Sequence, residues 1–200
     1  MAITKLDAAR RQLLAAIHLH WFLVEPLAVY QLAANVSEVC DKLLEKSGGT
    51  RIKKHVADDH GWEVKHVNML INSARNFMKH ADRDPAAILE DITFDECTAL
   101  LLTACIDYTM AAKRSPPVVG VFIAWFAAAK IGGSESAFSA MAGGLFPGLA
   151  EMSQADQILA ARRFVIHPMQ GDILHDSRTE LSDSWRWNEL RKSGQDFRTG

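Results

Sequence analysis

Apolar side chains recur along this chain at steps of three and four residues, and no stretch sustains an alternation at two. The first spacing lines up one face of a helix, whereas a half-buried strand needs the second. Leu6, Ala9, Leu13 and Ile17 form one such stripe, and Leu32, Val36, Val39, Cys40 and Leu43 form another. Over residues 62–81, Val67, Leu70, Ile71, Ala74, Phe77, Met78 and Ala81 define a third, and Leu100, Leu101, Ala104 and Tyr108 a fourth. The boundaries carry their own signals. Thr4 is placed to cap the first helix, with Asp7 in its first turn where a negative charge suits the helix dipole. Pro26 ends that helix and can open the next, since a first-turn residue needs no amide hydrogen. Gly48-Gly49 stops the second helix, and Asp84 before Pro85 closes the third. Thr93-Phe94-Asp95-Glu96 is a capping-box sequence.

Residues 50–61 run from basic to acidic without an apolar stripe, and predict a loop with one short helical turn. Asp58 or Asp59 is then the expected cap of the helix that follows. Ser115-Pro116-Pro117 is the clearest internal punctuation. Beyond it the pattern predicts an apolar helix over 118–131, a glycine-rich connection, a helix over 153–166 and a polar tail. The expected fold is all-α: an antiparallel helical bundle with additional C-terminal helices. It is expected as one domain over 1–200, divisible into a core over 1–114 and an extension over 115–200.

Apolar residues make up 48% of the chain and charged residues 23%, the balance of an ordinary folded domain. A net charge of −2 gives no global attraction to nucleic acid or acidic lipid, so any polyanion site must be a local patch. His18, His20, Glu25 and Pro26 interrupt the first apolar run, and 118–131 falls short of the roughly 20 residues a membrane span requires. No small-residue cleavage site follows the N-terminal run. A cytoplasmic protein without membrane partners is expected. Cys40, Cys97 and Cys105 are odd in number, lack metal-ligand spacing and fall in apolar helical patterns. They read as buried thiols in a reducing compartment.

The residues that could carry chemistry are concentrated in Arg75-Asn76-Phe77-Met78-Lys79-His80. A permanent cation, an amide and an imidazole together suit phosphodiester chemistry, which needs charge for a phosphate and a group that moves protons near neutral pH. Asn76 and His80 are four apart and share a helix face, along with Asn68, Asn72, Lys79 and Arg83. Arg75 lies about 140° around an ideal helix from His80, so one chain alone places the pair awkwardly. Arg75, Asn76 and His80 match the Arg-polar-x-x-x-His signature of HEPN domains, and the region to about residue 114 resembles that family. The resemblance implies a helical homodimer with its two motifs across a shared cleft, cleaving RNA without a metal or other cofactor. In that scheme His80 transfers the proton of a ribose 2′-hydroxyl, Arg75 stabilises charge on the phosphorus centre, and Asn76 orients the groups. Lys79 and Arg83 add binding cations, and a protein partner such as an antitoxin is a further implication. Arg-x4-His alone is expected about 0.5 times by chance in this chain, and Arg162 to His167 is a second instance; requiring the asparagine lowers the figure to about 0.01. The segment 76–85, with 6–13 upstream, also resembles uncharacterised bacterial proteins, which implies no activity.

Other readings of the same residues stand beside this one. A solvated helix face bearing Asn, Lys, His and Arg is ordinary. Glu63-x-x-His66 could face inward as half of a dimetal site, but its only counterpart is Asp172-x-x-His175; a buried His66 or a helix-start ion pair is the simpler expectation. His18 and His20 project about 200° apart and cannot chelate from a regular helix. His55, Asp58, Asp59 and His60 form a polar loop cluster able to meet a cation. No metal site is assigned. Trp185 and Trp187, near Arg186, Arg191 and Lys192, suit either base stacking or packing of the tail. The non-enzymatic alternative is a helical interaction protein whose apolar helices, 118–131 above all, form a homodimer or hold a partner.

Overall fold

The computed structural model describes residues 2–80, 82–131, 137–166 and 178–180. Its helices are α1 (Lys5–His18), α2 (Pro26–Ser47), α3 (Ile52–His60), α4 (Val64–Lys79), α5 (Phe94–Ala112), α6 (Pro117–Phe126), α7 (Ala137–Leu145) and α8 (Gln154–Ile166). No strand occurs among the described residues, where Ser115 and Thr179 form an isolated bridge. The architecture is an all-helical bundle. Among the described residues no helix is long and apolar enough to cross a membrane.

Two compact units divide the chain, one from residues 2–20 and 24–113, the other from 21–23 and 114 onward. In the first, α2 packs against α1, α4 and α5. Leu13, Ile17, Val29, Ala33, Val36, Leu44, Leu101 and Tyr108 close its core, each with almost no exposure. Each large aliphatic among them stabilises the fold by roughly 1.5–3 kcal/mol through burial. Cys40, Cys97 and Cys105 are buried free thiols, as their positions in the stripes imply. Capping boxes form at both Thr4 and Thr93. The Asp7 amide donates to Thr4 Oγ1 (3.1 Å) while Thr4 N donates to Asp7 Oδ2 (3.1 Å). At α5 the Glu96 amide donates to Thr93 Oγ1 (3.2 Å) and Thr93 N to Glu96 Oε2 (2.9 Å). Gly48 ends α2 at φ +68°, a left-handed conformation that a side chain would oppose.

Before Pro26 the chain widens into a π turn at Leu19–Leu23. Val24 closes it at φ +51°, donating to Leu19 O at 2.7 Å, although a β-branched residue pays heavily for that backbone. In residues 50–61 the structure corrects the loop expectation. α3 runs for nine residues, and its inward positions are Lys53 and Ala57. One buried lysine and one alanine make no apolar stripe, so periodicity could not show this helix. Asp58 and Asp59 lie inside α3 and are exposed, and Glu63 takes the N-cap position of α4 with no side-chain cap hydrogen bond.

The second unit builds its core from Trp21, Phe122 and Trp125, with Trp21 edge-on to Trp125 at 5.9 Å between ring centres. Trp125 Nε1 donates to Gln157 O (2.8 Å), and Gln157 Nε2 donates to Leu149 O (3.0 Å), which ties α6 to α8 through satisfied polar groups. Arg162 donates to Trp21 O and Phe22 O in the π turn. The apolar segment 118–131 forms α6 and a further π turn at Ala127–Ile131, and its residues Val118, Val119, Val121, Phe122, Trp125 and Ala127 are buried within this unit. They are spent on the chain's own core. They are therefore not the exposed docking face that the interaction reading needs.

Candidate functional site

α4 is an amphipathic helix fixed to α2 along one edge. Val67 and Ala74 are its buried residues, and Tyr30 of α2 donates its hydroxyl to Leu70 O at 3.2 Å. Arg75 lies on the flank of this buried strip. Its guanidinium forms an ion pair with Glu38 of α2 and donates to Asn72 Oδ1 (3.4 Å) on the preceding turn. The Arg75 side chain keeps 20% of its exposure and Glu38 keeps 42%, so water reaches the pair.

Around the rest of the helix, Lys65, Asn72, Asn76 and Lys79 fall within about 60° of one another at 100° per residue. Lys65, Asn76 and Lys79 are exposed. From Val64 to Lys79 the sequence has no carboxylate. α4 therefore offers an acid-free outward strip on a protein whose net charge is slightly negative. His80 takes the C-cap position at φ −115° and ψ 38°, its amide donating to Asn76 O (3.0 Å). His80 thus leaves helical geometry, and its side chain is half-buried, while Arg83 is exposed.

The matched residues thus occupy the last turns of α4, but one chain does not join them. Arg75 is drawn sideways to α2, its guanidinium engaged by Glu38 and Asn72. Asn76 faces solvent. The apolar stripe read on this helix is only partly used: Leu70 is 50% exposed, and Phe77 and Met78 are 38% exposed each. Glu63 and His66 do not point inward, correcting that expectation. Both are exposed, and Trp62 lies between His60, stacked at 4.8 Å, and His66, edge-on at 5.1 Å. Among the described residues no three His, Cys, Asp or Glu side chains are grouped to hold a metal. Asp172, His175, His167, Trp185, Arg186, Trp187, Arg191 and Lys192 lie outside the described residues.

A second polar assembly sits deeper in the first unit and was not singled out from sequence. Arg51 grips both oxygens of Asp41, Nε to Oδ1 at 2.7 Å and Nη2 to Oδ2 at 2.8 Å. Ser37 Oγ donates to Asp107 Oδ2 at 2.8 Å. Ser37, Asp41, Lys53 and Asp107 are all within 2% of complete burial. Burial pushes the Asp107 carboxyl up to about 6, against the pull of Ser37 and Lys53. Burial also lowers the Lys53 ammonium, against the pull of Asp41, Asp107 and Glu38. This assembly docks α3 onto α2 and α5 through charge, and it is closed to a ligand. A hint was available: Ser37 and Asp41 stand within the same helical stripe as Val36, Cys40 and Leu44.

His20 is a core histidine. It stacks on Phe94 at 4.4 Å, and its Nε2 lies 3.2 Å from Thr98 Oγ1. Burial drives its pKa down to about 3, so the ring stays neutral and serves packing. No family model, curated protein or solved structure matches the chain.

Proposed function

We propose that this protein is a HEPN-like, metal-independent RNA-cleaving or RNA- or nucleotide-binding protein, acting as a homodimer through Arg75, Asn76 and His80. One observation carries the reading: the outward strip of α4 is free of carboxylates along its whole length and ends on the matched residues. A polyanion approaching that strip meets Lys65 and Lys79, then Asn76, His80 and Arg83. No like charge on α4 opposes it.

In the proposed reaction a ribose 2′-oxygen attacks the adjacent phosphorus. Its proton passes to His80, the bond to the 5′-oxygen breaks, and that oxygen takes a proton from His80 of the second copy. The products are a 2′,3′-cyclic phosphate and a 5′-hydroxyl. Arg75 stabilises the added charge on the phosphoryl oxygens. The two-copy arrangement answers the separation of Arg75 from His80 within one chain. A cytoplasmic location goes with the reading.

The test is mixed RNA incubated with purified protein and chelator, wild type against His80→Ala. Cleavage to cyclic phosphate by wild type, lost by at least a hundredfold in the variant, is expected. Equal activity in both proteins, or none in wild type, refutes catalysis at this site. A second reading has its own support: Leu70, Phe77 and Met78 leave apolar surface on α4. A non-catalytic protein binding a partner such as an antitoxin would use that surface, and His80→Ala would then leave its complex intact.

A further inference from the structure

The carboxylate that neutralises Arg75 comes from α2, not from α4. Glu38 reaches across to the guanidinium, while Asp41 and Glu45 on the same helix are engaged by Arg51. α2 thus presents three acids one turn apart along one side. The Asp41 side chain is 3% exposed and gripped at two points, a fixed structural pair. Glu38 differs: its side chain is 42% exposed where it meets Arg75. A pair this open to water is held weakly and opens at small cost.

The geometry points to Glu38 as an internal stand-in for the substrate phosphate, a latch that occupies Arg75 until a backbone phosphate displaces it. This rests on the proposed RNA reading and adds how the site is kept at rest. An oxyanion of carboxylate type takes the same guanidinium edge as a phosphoryl oxygen, so the two compete for one place. The rest of the strip supplies the attraction that decides the exchange. RNA brings several phosphates past Lys65, Lys79 and Arg83, whereas Glu38 brings one charge. In the latched state Arg75 is held on the α2 side of the helix; displacement of Glu38 frees its long side chain to swing toward Asn76.

The experiment uses full-length protein and a fluorescent 2′-O-methyl RNA oligonucleotide, which binds but cannot be cleaved, read by anisotropy at low salt. Glu38→Gln is expected to tighten binding about fivefold, the scale set by releasing one exposed ion pair. Glu38→Asp, shorter by one methylene, is expected to give a smaller gain. Glu45→Gln removes the same charge from the same helix away from Arg75, and is expected to change binding by less than twofold. In an Arg75→Ala background the gain from Glu38→Gln should vanish. Three outcomes overturn the latch: unchanged affinity in Glu38→Gln, an equal gain in Glu45→Gln, or a gain that survives Arg75→Ala. Cleavage of unmodified RNA by the same proteins separates the two claims. Tighter binding with no cleavage by any variant leaves the latch and removes the nuclease. Cleavage that depends on His80 but is indifferent to Glu38 keeps the nuclease and removes the latch.

Discussion

Asp107→Asn tests whether burial or the neighbouring cation governs the buried cluster of the first unit. The carboxyl has no exposure, with Ser37 donating to it at 2.8 Å and Lys53 contributing opposite charge. Its pKa rises from the ordinary 3.8 to about 6, burial being the largest cause. A carboxyl raised on folding binds its proton more tightly in the native chain than in the unfolded one. Its contribution to stability is therefore full below about pH 3.8 and is lost as pH rises through 6. At about 1.36 kcal/mol per pH unit, that interval corresponds to about 3 kcal/mol. Asparagine has the same shape, keeps a partner for Ser37 and does not titrate. Urea unfolding followed by circular dichroism, at pH steps from 4 to 7.5, gives that difference directly. Wild type is expected to lose about 2.4 kcal/mol relative to the variant across this range, the remainder having gone below pH 4. A flat difference refutes the burial argument. A slope of opposite sign means that Lys53 outweighs burial and that the pair is a net favourable ion pair.

Two further outcomes follow from the fold. Val24→Gly removes a β-branched side chain from a left-handed backbone at φ +51°, and is expected to raise stability by about 1 kcal/mol once the freer unfolded glycine is allowed for; a lower melting temperature would contradict that strain. Burial lifts the thiols of Cys40 and Cys97 to about 12 and carries Cys105 well above its usual range. Native protein at pH 8 is accordingly expected to leave all three unmodified by a thiol reagent over an hour, whereas urea exposes them; rapid native labelling would show that one of them is reachable.

Helices were legible wherever burial follows a three- and four-residue step. α1, α2, α5, α6 and α8 announce themselves through stripes, the Thr4 cap, the capping box from Thr93 to Glu96, Pro26, Pro117 and Gly48. α3 was hidden because its inner face is held by Lys53 and by the Arg51 grip on Asp41, and ion pairs leave no hydrophobic period. The same blindness kept Ser37, Asp41 and Asp107 out of view, since a polar residue in a stripe looks like an interruption until its partner arrives from another helix. The motif residues could be named from order alone, yet their surroundings could not. Nothing near Arg75 in sequence identifies Glu38, which stands 37 positions earlier.

Sequence by itself determined the class of fold, the helix ends with capping signals, the burial of the cysteines and the composition of the α4 strip. These depend on side-chain type and on neighbours within a turn or two, which chain order fixes. Tertiary structure decided which helix each charge meets, and so which of them are masked. It turned α3 inward, gave Arg75 to Glu38, closed Asp107 in with Ser37 and Lys53, and used the apolar segment 118–131 for the chain's own core. Such pairings arise between residues far apart along the backbone, where the gain from contact depends on geometry that no local pattern encodes.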